Sequence, residues 1–498
     1  MTGAAVMIVE ILGAKMLSPF VGTSHFVWTA QIAVTLVALA CGYYAGGWLV
    51  SRSPKPARLY WAILIAAVYL AATVRLCQPI AYWCLDFSKD GSLAVGSLLA
   101  SGLLFFVPLS LLAMVGPFFV HVLTSTVAGV GGNVGRLTAV STLGSFVGTI
   151  LIGYFIIPYL PNSQTMFLTA LLLMLVSSGY LFGWGRKVSA AGTVALVMLA
   201  GVGLGLLGVR TDKFQHPNFV EIFQSNSDFG RLQVVERRGS AQLIYMNDYL
   251  WQNTYDRDTA QSTSMFTYAL HDFARAYTTN ITDVLCIGMG VGIVPMEFAR
   301  EGVRVDVVEI NEAVVPVAKK FFNLKPEQLH IVIGDGRYFV NRSQKKYDAV
   351  VLDAFLGDSN PSHLMTREAF QGVQRVLRPG GALVINCFGQ FEPGRDYFTA
   401  SLDRTLRAVF ASVVIHSVPG GNTFFVASDQ PELKIIHPPN LVRISNSYVR
   451  GQVETAFDTV RSTDPRHGRV LTDDFNPVEF FDAANRENTR RGLAGYMK

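Results

Sequence analysis

The sequence predicts a multi-pass α-helical membrane domain, followed by an α/β domain with a doubly wound parallel sheet and a small antiparallel β unit before it. The first observation is charge. Residues 1–209 contain 12 Asp, Glu, Lys or Arg, whereas the remaining 289 residues contain 65. The second is periodicity, because strand-like and helix-like segments alternate after residue 280. A chain of 498 residues is also too long for a single hydrophobic core.

The first part contains seven segments of the length and apolarity that a membrane-spanning helix needs, about 20 residues. They lie at about 3–20, 26–51, 59–77, 92–115, 137–160, 164–183 and 189–208. The first segment carries Glu10 and Lys15. Charged side chains are costly in lipid and are often functional there. A structural role is the alternative, in which Lys15 reaches the interface and Glu10 pairs with it or with Arg75.

The cations of the first part give conflicting indications of orientation. The segments SRSPKPAR (51–58) and GRK (185–187) are typical of cytoplasmic loops. Counting spans from them places the α/β domain outside, whereas a cytosolic nucleotide ligand would place it inside. We expect a multi-pass protein of the inner cell membrane with a cytoplasmic α/β domain, against the count of cations.

The distribution of charge argues against a nucleic-acid partner, and the spacing of the cysteines argues against a metal site. Residues 1–209 carry a net charge of +6 and the rest −1, so the basic character comes from membrane-flanking cations. We therefore expect no nucleic-acid partner. The five cysteines form no CxxC pair, so we also expect no metal site.

Three domains are predicted. Residues 1–209 form the transmembrane helical domain, 210–280 the β unit and a linking helix, and 281–498 the Rossmann-like domain. In the last domain, helical segments separate strands that read DVLCIG, RVDVVEI, IVIGDG, YDAVVLDA, ALVINCFG and TFFVASD.

Glycines and acidic residues end four successive strands. They are Gly288, Gly290 and Gly292, then Glu309, Asp335 and Asp353. In a doubly wound sheet the ligand lies at the carboxyl ends of the strands. A glycine turn brings backbone close to a nucleotide, and an acidic residue at the next strand end can accept both ribose hydroxyls. The alternatives are a tight turn and solvated carboxylates, but four such ends in series favour a nucleoside site.

Several short motifs carry a family resemblance. YDAVVLDA is similar to YDxIxxD, GDGRYFV to GDGxxFL, and MNDYLWQ to the DGxxQ spacing before the glycine turn. RVLRPGGALVINC and LTDDFNPVE add to the pattern. Together these segments resemble the spermidine synthases, or polyamine aminopropyltransferases, of the membrane-fused bacterial branch. That family has the class I S-adenosylmethionine-type (methyltransferase-like) fold.

The resemblance implies an activity and residue roles. An aminopropyl group passes from decarboxylated S-adenosylmethionine to a polyamine such as putrescine, and methylthioadenosine is released. By resemblance Asp353 is the base, Glu309 binds ribose, Asp335 and Gly336 bind adenine, and Gln252 contacts the nucleoside. The adenosyl-sulfonium compound is a cosubstrate, so no tightly bound cofactor is implied. The resemblance to this family also implies that a homo-oligomer can form.

The sequence departs from the family in the part that binds the amine. Val291 stands where the family has Asp, and Leu356 where it has a second Asp. Asp358 lies near the second position. The family's YHE segment is missing, and Tyr268 and His271 are the candidate polar contacts there, with a core tyrosine and a surface histidine as the structural alternatives.

Two other functions stay open. An S-adenosylmethionine-dependent methyltransferase shares the fold, and Val291 in place of Asp favours it. A non-catalytic sensor or transporter that binds the nucleoside is favoured by the missing amine-binding residues.

Overall fold

The structure, a computed structural model, describes residues 1–22, 25–88, 93–124, 126, 129–157, 159–184, 188–211, 216–355, 357 and 360–494. The chain divides into two compact units, Met1–Phe214 and Gln215–Lys498. This division lies close to the boundary that the change in charge density predicts.

The N-terminal unit is entirely helical in its described residues. Its helices are α1 Thr2–Val21, α2 His25–Arg52, α3 Pro56–Phe87, α4 Leu93–Ser101, α5 Val107–Ala113, α6 Val115–Leu123, α7 Val130–Ile150, α8 Asn162–Trp184 and α9 Val188–Thr211. A π-helical segment, Gly102–Phe106, joins α4 to α5, and another, Leu151–Ile156, follows α7. Seven helical stretches among the described residues are long and apolar enough to cross a membrane, as the sequence predicts.

Glycines allow the helices of this unit to approach closely. A Cβ atom on Gly42 of α2 would lie 2.2 Å from the carbonyl oxygen of Ser110, and one on Gly46 would lie 2.6 Å from that of Met114. Small residues at such contacts let the backbones of apolar helices come close enough for tight van der Waals packing.

The C-terminal unit begins with an antiparallel sheet of five strands in sequential order. The strands are β1 Phe219–Ser227, β2 Gly230–Arg237, β3 Gln242–Asn247, β4 Leu250–Asp256 and β5 Gln261–Ser262, and α10 Met265–Ala276 follows. This is the small β unit and linking helix that the sequence predicts.

An eight-stranded sheet with flanking helices forms the rest of the unit. Its strands are β6 Asp283–Ile287, β7 Arg304–Glu309, β8 His330–Ile333, β9 Tyr347–Leu352, β10 Leu377–Cys387, β11 Ser412–Ser417, β12 Thr423–Ser428 and β13 Val460–Arg461. The helices are α11 Ile293–Arg300, α12 Val314–Phe321, α13 Gly336–Arg342, α14 Arg367–Val376, α15 Tyr397–Arg407, α16 Ser447–Asp458, α17 Val478–Phe481 and α18 Ala483–Ala494.

The strand order is β13-β11-β12-β10-β9-β6-β7-β8. Strands β8, β7, β6, β9 and β10 are parallel, which confirms the doubly wound core. At one edge the sheet departs from this parallel arrangement. There β12 runs antiparallel to both β10 and β11, because a tight turn through Gly420 and Gly421 joins β11 directly to β12.

Side chains of β6 divide between the two faces of the sheet. Val284 and Cys286 join one apolar cluster, and Leu285 and Ile287 join the other. All five residues of the strand are buried, as expected for a central parallel strand covered on both faces. The order of strands reverses between β6 and β9, so their carboxyl ends leave a crevice for a ligand.

Candidate active site

A cleft of about 1130 Å³, including its open mouth, lies at the carboxyl ends of the parallel strands. Residues that follow β6, β7, β8, β9 and β10 line it, and the β unit closes one side through Trp251, Gln252 and Asn253 of β4. The position is the one that the strand order predicts for a ligand site.

The glycine turn after β6 needs glycine at three positions. Gly288, Gly290 and Gly292 have φ angles of +91°, +52° and +84°, which L side chains rarely adopt. Close packing also requires glycine at position 288, because a Cβ atom there would lie 2.4 Å from the carbonyl oxygen of Asp353. The turn therefore leaves its backbone open to the cleft and holds the ends of β6 and β9 together.

Glu309 ends β7 and is buried, with a carboxylate that two backbone groups hold. Its Oε2 accepts a hydrogen bond of 2.9 Å from the Met289 amide, and its Oε1 accepts one of 2.8 Å from the Asn311 amide. Burial raises the pKa of Glu309, and the amide hydrogen bonds oppose that rise. The carboxylate lines the cleft beside the glycine turn, where the predicted ribose ligand would lie.

Asp335 lies two residues beyond β8 and caps α13. Its Oδ1 accepts a hydrogen bond of 2.8 Å from the Tyr338 amide, and its Oδ2 lies 2.8 Å from Nε2 of His363. Burial favours the neutral carboxyl, but these two partners outweigh it and hold the pKa of Asp335 below its usual range. Gly336 follows with its backbone against the floor of the cleft, because a Cβ atom there would meet Ile287 at 2.4 Å.

Asp353 lines the cleft and lies one residue beyond β9. Asn386 of β10 donates a hydrogen bond of 2.8 Å to its Oδ1, and Asn422 in turn donates to Oδ1 of Asn386 at 2.9 Å. Burial raises the pKa of Asp353 to about 6, although the bond from Asn386 works in the opposite direction. The result is a fixed carboxyl group that changes charge close to neutral pH.

Gln252 connects the β unit with the loop after β9. Its Nε2 donates a hydrogen bond of 3.2 Å to the carbonyl oxygen of Gly357. Its neighbour Asn253 lies against the glycine turn, 3.0 Å from where a Cβ atom of Gly290 would be. Asp358 and Leu356, which the sequence places near the acceptor, lie outside the described residues.

Aromatic side chains line the part of the cleft near Asp353. The rings of Phe355 and Phe388 are tilted, with their centroids 5.4 Å apart. Trp251, Phe229 and Phe266 line the same cleft. Flat aromatic faces hold alkyl chains and attract cations.

The structure does not bring Tyr268 and His271 to this cleft. Both are buried in α10, away from its described lining. The Tyr268 hydroxyl donates to the carbonyl oxygen of Ser262 at 3.0 Å, and His271 lies between Asp272 and Glu301. Their burial follows from the amphipathic character of α10, whose apolar face packs against the sheet. Of the predicted residues, the other eight described ones line the cleft or its turn.

The sequence analysis missed several residues of the cleft. They are Asn253, Phe266, His363, Asn386 and Asn422. Asn386 had a signal, since it is the polar residue that ends the apolar run ALVI in β10. The family pattern suggests that the side chain at position 291 faces the amine site. Val291 is instead 1% exposed and packs in an apolar cluster.

Residues 264–430 match the spermine/spermidine synthase domain. This part of the chain is similar to that family. The matched segment contains the glycine turn, Glu309, Asp335 and Asp353, so the spermine/spermidine synthase domain includes most of the cleft.

Curated relatives include both aminopropyl and methyl transferases. The chain is 29% identical to a polyamine aminopropyltransferase of Vibrio vulnificus over 39% of this chain and 68% of the relative. It is 34% identical to an N-terminal histidine N-methyltransferase of Emericella nidulans over 26% of this chain and 23% of the relative. It is 28% identical to a putrescine N-methyltransferase of Nicotiana tabacum over 32% of this chain and 46% of the relative. The chain thus spans from about a quarter to two thirds of the length of these relatives.

Proposed function

We propose that the protein is an aminopropyltransferase that uses decarboxylated S-adenosylmethionine and an amine acceptor of the polyamine class, such as putrescine. The observation that carries the proposal is the position of Asp353. Its carboxyl group lines the same cleft as the glycine turn and Glu309, with a pKa raised to about 6 by burial. A carboxylate there can hold an amine and take its proton.

The binding of the nucleoside is assigned to the turn and the two neighbouring strand ends. Glu309 is the group for the ribose hydroxyls, although its oxygens already accept two backbone hydrogen bonds. A carboxylate oxygen has more than one lone pair, so a hydroxyl can add to these bonds. Asp335 and Gly336 are assigned to the adenine edge.

The transfer is a displacement at carbon. The neutral amine nitrogen forms a bond to the aminopropyl carbon while the bond from that carbon to the sulfonium sulfur breaks. The sulfur keeps the electron pair and leaves as the neutral thioether of methylthioadenosine. Asp353 accepts the proton that the nitrogen gives up, and Asn386 keeps one oxygen fixed so that the other can face the nitrogen.

The described lining of the cleft favours the decarboxylated donor over the carboxylated one. It contains three carboxylates, Glu309, Asp335 and Asp353, and no Lys or Arg. The donor's amino group and sulfonium are cationic, so an acidic lining attracts them. The carboxylate of ordinary S-adenosylmethionine would find no lysine or arginine in this described lining.

Methyl transfer is the second candidate function, because two of the relatives named above are N-methyltransferases. Both reactions need an amine nucleophile and a base, so the same Asp353 serves either one. The donor decides between them.

The test uses full-length protein purified in detergent. It is incubated with decarboxylated S-adenosylmethionine and a mixture of polyamines, and mass spectrometry follows methylthioadenosine and any new amine. We expect an aminopropylated product from the wild type and from Asp258→Asn, a control in an exposed turn, but none from Asp353→Asn. Product from ordinary S-adenosylmethionine alone would assign methyl transfer. Nucleoside binding without any turnover would contradict both and favour a sensor.

We propose further that the seven apolar helices anchor the enzyme in the cell membrane with the cleft on the cytoplasmic side. Their length and composition support the anchor. Access of a membrane-impermeant protease to the C-terminal unit in intact spheroplasts is the test, and cleavage without lysis would place this unit outside.

A further inference from the structure

The N-terminal unit contains a buried polar side chain that has no hydrogen-bond partner. Gln31 of α2 is fully buried, and neither Nε2 nor Oε1 of its amide has a partner in the described structure. An unpaired amide in an apolar interior costs about 1–3 kcal/mol. In a helix that crosses lipid, water cannot hydrogen-bond to this amide, so the presence of Gln31 there requires an explanation.

The amide of Gln31 faces α1 where that helix has no side chain. A Cβ atom on Gly13 would lie 2.8 Å from both Cδ and Nε2 of Gln31. Glycine at position 13 therefore makes room for the amide. Glu10 lies one turn before Gly13 on the same face of α1.

Glu10 of α1 and Thr35 of α2 lie one helical turn away from Gly13 and Gln31, in the same contact between the two helices. Glu10 lies beside Thr35, which is itself buried and one turn after Gln31. The Thr35 hydroxyl donates at 2.8 Å to the main-chain oxygen of Gln31, so its lone pairs can accept from another group. Lys15 is five residues beyond Glu10, about 140° around the helix, and so points to a different side of α1.

We propose that Glu10, Gln31 and Thr35 form a binding site for a primary alkylammonium ion within the helical unit. The three side chains offer a carboxylate, an amide oxygen and a hydroxyl oxygen. A primary ammonium group has three N–H donors and a single positive charge, which match these acceptors. The carboxylate offsets the charge, and the amide then gains the partner that it lacks.

The site differs from the cleft around Asp353 and gives the helical unit a function of its own. The same class of compound, a protonated amine, is recognised in two places by different residues. The proposal does not depend on the transferase activity, because binding to the helical unit can be measured when no transfer occurs.

The experiment measures equilibrium binding of radiolabelled putrescine to the full-length protein in detergent, with Asp353→Asn as the background so that transfer does not consume the ligand. We expect Glu10→Gln and Gln31→Leu each to weaken one class of sites at least tenfold. Gly13→Ala should do the same by displacing the amide. The matched controls are Asp86→Asn and Gln78→Leu, which change an acid at the end of α3 and an exposed glutamine on that helix.

A purely structural role for Gln31 predicts a different result. Leucine would then remove the unpaired amide and raise the melting temperature, while putrescine binding stayed unchanged, and this outcome would overturn the proposal. Competition by sodium instead of by other alkylamines would also overturn it in favour of a metal-ion site. Transfer activity of Glu10→Gln and Gln31→Leu in a wild-type background, expected to be kept, verifies that the chain is folded.

Discussion

The side-chain amide of Asn386 donates a hydrogen bond of 2.8 Å to Oδ1 of Asp353. This bond stabilises the ionised carboxylate, whereas burial disfavours it and raises the pKa to about 6. The two effects together set the pH at which the proposed base becomes active. Since the base must be ionised, kcat/KM should fall as the pH decreases through about 6.

Asn386→Ala should move the acid limb of the pH profile, where kcat/KM falls with decreasing pH, to higher pH by about one to two units. A hydrogen bond to a charged group contributes about 1.5–3 kcal/mol, and one pKa unit corresponds to about 1.4 kcal/mol. The measurement is kcat/KM for the amine acceptor between pH 5 and 9. Asn422→Ala is the control, because Asn422 contacts Asn386 and not the carboxylate, so its shift should be smaller. An unchanged limb in Asn386→Ala would show that another group titrates.

The same raised pKa predicts an effect of Asp353 on stability. A carboxyl group whose folded pKa exceeds its unfolded value of 3.8 favours folding in its neutral form, and that contribution is lost as the pH rises from about 4 to about 6. Asp353→Asn should therefore increase the free energy of unfolding at pH 7.5, by at most about 3 kcal/mol, while it removes activity. Thermal melts at pH 4.5 and 7.5 test this, since the stabilisation should be clearly larger at the higher pH.

Glu309→Gln should weaken binding of the nucleoside by about 1–3 kcal/mol. Both oxygens of Glu309 accept backbone hydrogen bonds, and an amide NH₂ in place of one oxygen would face the Met289 or Asn311 amide, donor against donor. Calorimetry with methylthioadenosine measures the loss. Glu312→Gln, an exposed substitution three residues further along, is the matched control, and equal affinities of the two variants would count against the ribose role.

These residues differ in how far the sequence could predict them. Glu309 and Asp353 each end or follow an apolar strand, so an apolar run followed by an acid was enough to place them at one edge of the sheet. The partner of Asp353 was not predictable in that way. Asn386 comes 33 residues later in the chain, and it reaches Asp353 only because the parallel register pairs Ile385 with Leu352. Register depends on packing across the sheet, which no local pattern contains.

Two further features depend on tertiary contacts that a local pattern does not contain. An amphipathic pattern identifies α10 as a helix with one buried face, but it does not say which neighbour that face meets, and so it left Tyr268 either as a contact of the amine or as a core residue. The segment TFFVASD was predicted as the last strand of the sheet, but β11 before it was not predicted, and the glycine pair between the two strands permits a direct hairpin.

Gly288→Ala should remove activity and destabilise the domain more than Gly302→Ala does. Both glycines have positive φ, +91° and +79°, so both variants carry the backbone strain of about 1 kcal/mol. Only at Gly288 does the new methyl group meet a fixed neighbour, the carbonyl oxygen of Asp353 at 2.4 Å; nothing lies within 4 Å at Gly302. Urea denaturation and transfer assays on the two variants test the difference. Equal effects would mean that strain alone, and not the contact between β6 and β9, requires glycine in the turn.

Val291→Asp replaces the valine with the residue that the spermidine synthases carry at this position, and we expect it to harm the protein instead of improving it. Val291 is 1% exposed in an apolar cluster, and it lies outside the described lining of the cleft. A carboxylate there would be buried without a partner, at a cost of several kcal/mol. The variant should melt at a clearly lower temperature than Val291→Ala, and its KM for the amine should not decrease. A lower KM with unchanged stability would instead mean that the turn can direct this side chain into the cleft, and that the acceptor site is closer to the family pattern than the packing of Val291 indicates.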